Sequence, residues 1–373
     1  EVQSALYPQV DLDAFWLKNY MYPDAPCAAY TKDYYLSVGV NIHQVITTFG
    51  RIGSAISAAR KGEKISCYQQ EDTVMQLRHA TRLMYYSAVF SERTLDILEG
   101  SYNHVRQNEQ ILRDRSESGR VSKHDNVKIA SDVAARIPMV NDARAKKEAA
   151  METLRSHLCV EGDIDLIEGF VEKHPLLDPA GLSAKLCECH PALKALGCAV
   201  ALRQDLVKGK KADFYPTLSA FANWKHKGGG DRCCGGGALD DWGEFGLAVS
   251  VPIYSGGQRY HKLRQAKIEK NSAQLSLRQA EENLFLELDK AIIEYRQLRS
   301  TLPASQEAVR LAEETFSLSQ DLFRSGQLSV TDLNDAELML TNQRLKEQAT
   351  LFNISVQLAT IERLTGWWGG DDE

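Results

Sequence analysis

The side chains best suited to chemistry are few and scattered. Cys187-Glu188-Cys189-His190 is the nearest approach to a metal-ligand cluster. A structural zinc site takes four ligands, usually as two spaced pairs, and no second pair of suitable spacing follows. His174 and His190 each precede a proline, where a turn residue is a simpler reading than a ligand. The glycine runs Gly228-Gly229-Gly230 and Gly235-Gly236-Gly237 lie between two strand-like segments. A phosphate loop needs a strand before it and a helix after it, so these read as a flexible outer loop. Cys233-Cys234, in the same loop, pair with Cys27 if both loops meet outside the cell; free thiols are the equal alternative. No Ser/His/Asp set stands out, and no catalyst is expected.

The carboxylates that remain of interest are Asp125 and Asp332. Each closes the motif Ser-Gly-x-x-Ser-x-x-Asp, as SGRVSKHD over 118–125 and SGQLSVTD over 325–332. The motif interrupts long helical periodicity. Gly119 and Gly326 suit the left-handed residue that ends a helix. Ser122 and Ser329 suit the N-cap of the next, with the aspartate three residues on as a capping-box-like partner. The motif therefore reads as the tip of a helical hairpin, and it occurs twice, 207 residues apart.

The duplication extends over the chain. YPQVDLDAFW (7–16) parallels YPTLSAFANW (215–224), and Gly50 parallels Gly257. Each half has one grammar: strand, loop, strand, long helix, glycine break, second helix. The first repeat spans 1–162, with strands near 6–17 and 34–45 and a hairpin over 50–158. A connector and a helix leading into the next strand occupy 163–213. The second repeat spans 214–366, with strands near 214–226 and 242–253 and a hairpin over 257–365; a tail covers 367–373.

The strands alternate with period two, which marks a half-buried sheet. Leu36, Val38, Val40 and Ile42 oppose Ser37, Gly39, Asn41 and His43; Phe245, Leu247, Val249 and Val251 oppose Gly246, Ala248 and Ser250. Aromatic residues gather near strand ends: Tyr7, Trp16, Tyr34, Tyr35, Tyr215, Trp224 and Trp242. Apolar outside, polar inside and aromatic ends are the marks of a membrane barrel. A soluble sandwich with one wet face is the equal alternative from the strands alone. Four strands cannot close a barrel, so closure needs several chains. Gly50, Gly256 and Gly257 allow the sharp turn from strand into helix. Each long helix, at about 1.5 Å per residue, extends on the order of 100 Å. Its three- and four-residue apolar steps predict coiled-coil packing, with Pro138 and Pro303 as local weak points.

Composition is consistent with this plan. The 373 residues carry a net charge of −6, which argues against a nucleic-acid binder. No run of 18 or more apolar residues is present. That leaves a barrel open, because its strands are short and alternating.

With these segments in hand, the chain resembles the TolC-like outer-membrane efflux proteins of Gram-negative bacteria. The Tyr-Pro strand openings, VPIYSGGQRYHKLRQAKIE, FRSGQLSVTDLNDAELMLTNQ and LATIERLTG carry the resemblance in both halves. It implies an α+β membrane protein and a homotrimer. Four strands per subunit form a shared twelve-stranded transmembrane β-barrel in outer-membrane lipid, continued by a periplasmic tunnel of helices. It implies that tips at Ser118, Gly119, Arg120, Val121 and Ser122, and at Ser325, Gly326, Gln327, Leu328 and Ser329, dock a periplasmic adaptor. The adaptor links them to an inner-membrane pump or ABC transporter. The resemblance also assigns a periplasmic aperture to Asp125, Phe323, Leu328 and Asp332. Where a charged latch has an aromatic hydroxyl and an arginine, this chain has Phe323 and Leu328, so such a latch is in doubt. In a trimer, Asp125 and Asp332 would form carboxylate rings, favouring cations; helix capping is the preferred and compatible role. The first repeat opens at Glu1 without a helix before its Tyr-Pro strand, which predicts a signal peptide and a lead-in helix preceding this numbering. The function implied is a passive exit duct of a tripartite efflux system without a cofactor. The alternatives are the outer-membrane channel of type I protein secretion and, in another class, a soluble coiled-coil scaffold.

Overall fold

The computed structural model describes residues 4, 6–18, 34–117, 122–162, 164–167, 169–171, 175–228 and 240–366. Four strands and six helices follow in the order β1 (Gln9–Lys18), β2 (Tyr34–Thr47), α1 (Arg51–Glu117), α2 (Lys123–Leu158), α3 (Pro179–Cys189), α4 (Pro191–Ala212), β3 (Thr217–Gly228), β4 (Asp240–Ser250), α5 (Gln258–Arg324) and α6 (Val330–Thr365). The chain divides into two compact units, Glu1–Gln69 with Ala192–Gln279, and Gln70–Pro191 with Ala280–Glu373. The division falls within α1 and α5, which are 67 residues each.

The first unit holds one antiparallel sheet in the order β1-β2-β3-β4, so β1 and β4 are its edges. Residues paired across strands share a face. Leu12, Val40, Trp224 and Gly243 form one apolar row, and Val10, Ile42, Ala222 and Phe245 another. Asp11, Asn41, Asn223 and Glu244 form a row on the opposite face. There Asn223 donates to Glu244 at 2.8 Å, and Asn41 donates to Asp13. The register settles where one tryptophan lies: Trp242 pairs with Lys225 and shares the polar face with Glu244, while Trp16 and Trp224 lie on the apolar face. Trp242 was expected beside them; alternation in β4 turns it to the other side. β4 ends at Ser250, two residues before Pro252, which has no N–H for a ladder.

In the same unit α4 lies against α1 through a buried carboxylate. Asp205, 2% exposed, accepts from Ser57 and Lys61 of α1 and from Lys208 on its own helix. Burial pushes its carboxyl up, but the three donors outweigh that and hold it at about 2.

The second unit is helical. All four long helices contribute to one core near the tips: Val105 and Leu112 from α1, Ile129 from α2, Ala312, Phe316 and Phe323 from α5, and Val330, Leu333 and Leu340 from α6. Further up, α3 packs on α6. It begins with Asp178, whose carboxylate accepts from the backbone of Ala180 and Gly181, followed by Pro179 at the first turn. α3 lies where plain connector was expected; the capping aspartate, the proline and the four-residue step from Leu182 to Leu186, both buried, are its helical signal. Tyr295 of α5 reaches the connector, its hydroxyl donating to the Pro175 carbonyl at 2.8 Å. α2 and α5 continue unbroken through Pro138 and Pro303.

Candidate functional site

Two regions were expected to act: the hairpin tips and the sheet. The second tip lies wholly within the described residues. α5 ends in a Schellman turn. Gly326 takes φ 82°, its N–H reaches the Phe323 carbonyl, and the Gln327 N–H reaches Leu322 at 2.9 Å. Ser329 then caps α6: its hydroxyl accepts from the Asp332 N–H at 3.2 Å and donates to the Asp332 carboxylate at 2.7 Å. That carboxylate closes on the cap side chain rather than on a backbone N–H. At the first tip Ser118, Gly119, Arg120 and Val121 lie outside the described residues. Ser122 caps α2 differently, accepting from the His124 N–H, and the Asp125 carboxylate lies 3.4 Å from the His124 ring nitrogen. The two repeats thus use their aspartates unequally.

Phe323 and Leu328 were expected at an aperture. Phe323 is 3% exposed within the four-helix core, and Leu328 packs against the same core. Arg115, which sequence reading missed, explains part of this. Its guanidinium lies 4.9 Å from the Phe323 ring centre and donates to the carbonyls of Phe323 and Arg324 at 3.1 and 3.0 Å. It adds a second donor to the Phe323 carbonyl, satisfies that of Arg324 and favours the negative end of that helix. Arginine three residues before the first tip motif is the only sequence trace of it.

A line of polar pairs joins α2 to α6 above the tips. Lys128 donates to Thr331 and Asn334 to Asp132, each at 2.8 Å, and Arg136 pairs with Glu337. Glu337 is 1% exposed and also accepts from Thr341, while Arg136 donates to Ser101 of α1 at 3.1 Å. These rungs sit four residues apart on α2 and three apart on α6, one helical turn each.

In the first unit, the strand-to-helix turns use left-handed residues: Phe49 and Gly50 before α1, and Gly256 and Gly257 before α5. Phe49 stacks on Tyr215 with centroids 6.2 Å apart. Arg259 donates to the Pro252 carbonyl at 2.7 Å and lies 5.9 Å over Phe214. Of the expected aromatic girdle, Trp16 and Trp224 are exposed on the apolar face; Tyr7 and Tyr215 precede β1 and β3 and are exposed. The side chains of Tyr34 and Tyr35 lie outside the described residues.

Cys187 and Cys189 are exposed free thiols, and His190 is buried. No group of three His, Cys, Asp or Glu side chains among the described residues is placed to hold a metal. Cys27, His174, Cys233, Cys234 and the glycine runs from Gly229 onward lie outside those residues. Among the described residues, no helix is long and apolar enough to cross a membrane.

Residues 182–367 match the family model described as outer membrane efflux protein. The outer membrane efflux protein BepC of Brucella suis is 23% identical over 257 residues, 68% of this chain and 55% of its own length. The cation efflux system protein CusC of Escherichia coli K12 is 23% identical over 52% of this chain and 41% of its own. The chain thus spans about half the length of these relatives. Solved channels share the fold: CmeC of Campylobacter jejuni superposes with a TM-score of 0.84 at 16% identity, over 98% of this chain and 79% of its own. The open-state MtrE channel of Neisseria gonorrhoeae gives 0.80 at 16% identity, over 98% and 82%. The chain belongs to the TolC-like outer-membrane efflux protein family and resides in the outer membrane.

Proposed function

We propose that this chain is one subunit of a homotrimeric exit duct in a tripartite efflux system, passing cargo outward without chemistry of its own. The observation that carries the reading is the sheet. Its apolar face is bare, with Leu12 72% and Phe245 90% exposed, and β1 and β4 are open edges. Unpaired backbone is not tolerated in lipid, so the sheet must be completed. Three copies joined β4 to β1 give twelve strands with the apolar rows outward and the Asp11–Glu244 row inward. A soluble scaffold would have to cover both rows of exposed apolar side chains with another layer.

The helical hairpins then form the periplasmic tunnel. The tips at 118–122 and 325–329 dock an adaptor that couples the duct to an inner-membrane pump. Asp125 and Asp332 stand at the aperture, with Asp332 exposed and Asp125 half-buried; Phe323 and Leu328 support them from the core. The relatives differ in named cargo, cation efflux for CusC and solvent efflux for SrpC of Pseudomonas putida. That spread fits a conduit whose selectivity is set by the partner pump.

Single-channel recording of the purified protein in a planar bilayer tests the reading. Discrete conductance steps are expected, and a chain that stays soluble without detergent and never conducts would sink it. Gly326→Val tests the tip. A β-branched residue is strained at φ 82°, so adaptor capture and export should fall while trimers still form. Unchanged export in that variant would remove the docking role.

A further inference from the structure

A glycine inside a strand weakens it, having no side chain to pack and more backbone freedom to lose. β4 keeps one at Gly246, on an edge of the sheet. The backbone there does not require it, since Gly246 is not one of the glycines with positive φ. The reason lies across the ladder. Gly246 pairs with Phe221 of β3. A Cβ added to Gly246 would meet the Phe221 ring at 3.1 Å from Cζ and 3.3 Å from Cε1, and its three nearest atoms all belong to that ring. The ring is therefore folded down over the glycine and takes the place of its side chain, an arrangement known to support edge glycines in sheets. Gly39 and Lys225, opposed on β2 and β3, look alike, with Lys225 Cγ 2.9 Å from where a Cβ would stand. There the Trp224 carbonyl is also close, at 3.0 Å, so close backbone approach accounts for Gly39. At Gly246 only the ring does. Phe221 and Gly246 lie on the polar face, next to the Asn223–Glu244 pair two residues along each strand.

We propose that Phe221 sets the bore of the barrel at its level, and that Gly246 keeps the bore wide by giving the ring a recess in the wall. This rests on the reading of the polar face as the lumen of a trimeric duct, in which every subunit puts one such ring at the same height. A ring laid along the wall takes little of the lumen. Driven out of the recess, it must turn to another staggered rotamer and project inward. The absence of a side chain at 246 then determines the largest cargo that passes, with no effect on how the strands pair.

Filling the recess tests it. Single-channel conductance, and the size of neutral polymer that enters the pore, are measured on the full chain carrying Gly246→Val, Phe221→Ala or both. Valine suits a strand, and its branched side chain occupies the recess. Gly246→Val is expected to lower both conductance and the polymer cut-off. Phe221→Ala alone is expected to leave both near their original values, because the ring already lies out of the way, and in the double variant to restore what valine removed. Gly246→Ala adds a single carbon against the ring and should shift both readings the same way by less; it serves where valine prevents assembly. Unchanged conductance and cut-off in the Gly246 variants would overturn the proposal. So would a loss that Phe221→Ala does not restore, because the obstruction would then not be the ring. A large rise in Phe221→Ala alone would overturn it too, because the ring would already project into the bore. Absence of conductance from the unsubstituted protein as well would instead overturn the duct reading on which the bore depends.

Discussion

Residue-scale behaviour is clearest where one side chain stands in an unusual setting. Glu337 is buried against Arg136. Glu337→Ala leaves a guanidinium unpaired in the core and is expected to destabilise the helical unit by about 3–5 kcal/mol. Replacing both partners, Arg136→Met with Glu337→Leu, should recover most of that loss. Denaturant unfolding of the three variants checks the pattern, and a double variant as weak as the single would mean the pair is worth more than its shape. Cys159 offers the opposite case. It ends α2 in the left-handed conformation at φ 52°, with Val160 bonded back to Arg155. A side chain there costs about 1–2 kcal/mol, so Cys159→Gly should stabilise by about 1 kcal/mol, read as a higher unfolding midpoint. α2 ends at Leu158, and the chain turns on Cys159, a residue without glycine's preference for the left-handed conformation.

Among the elements, α4 depends on charge and α3 on local caps. Asp205 anchors α4 to α1 and is held at about 2, below the ordinary carboxylate value of 3.8. A depressed carboxyl contributes stability above its unfolded value and loses it as pH falls through the folded one. The acid-sensitive window for this contact is therefore between pH 3.8 and about 2. Asp205→Asn should flatten the loss of stability across that window while lowering stability at neutral pH. His79 and His190 act at a higher pH. Burial lowers both, and Arg363 adds to the lowering. The unfolded chain therefore binds protons first, and stability declines as pH falls below the ordinary histidine value of 6.5. An acid profile with two separable steps, the lower one removed by Asp205→Asn, is the expected outcome. Pro138 and Pro303 sit inside helices that stay helical through them. Each removes one N–H from the ladder, and alanine at either position should raise stability, by up to about 3 kcal/mol.

For the whole molecule, the sidedness of the sheet is the feature with most consequence. In the proposed barrel Trp16 and Trp224 would face lipid and Trp242 water. In variants retaining one of these tryptophans, lipid-borne bromine should quench the first two and aqueous iodide the third; lipid quenching of Trp242 would mean the register is slipped by one. The repeat, the alternation of the strands, the length of the hairpins and the cap residues were legible in the linear order, because each is a local regularity with a period of its own. Period two marks a face, and glycine followed by serine marks a turn and a restart. What only the tertiary structure decided are relations between segments some 200 residues apart: Arg115 on the end of α5, the α2–α6 rungs and the burial of Phe323. These depend on which helix face meets which. A linear order of residues carries no such distance between remote segments of the chain. Only the packed geometry turns a solvent-compatible arginine or glutamate into a buried partner.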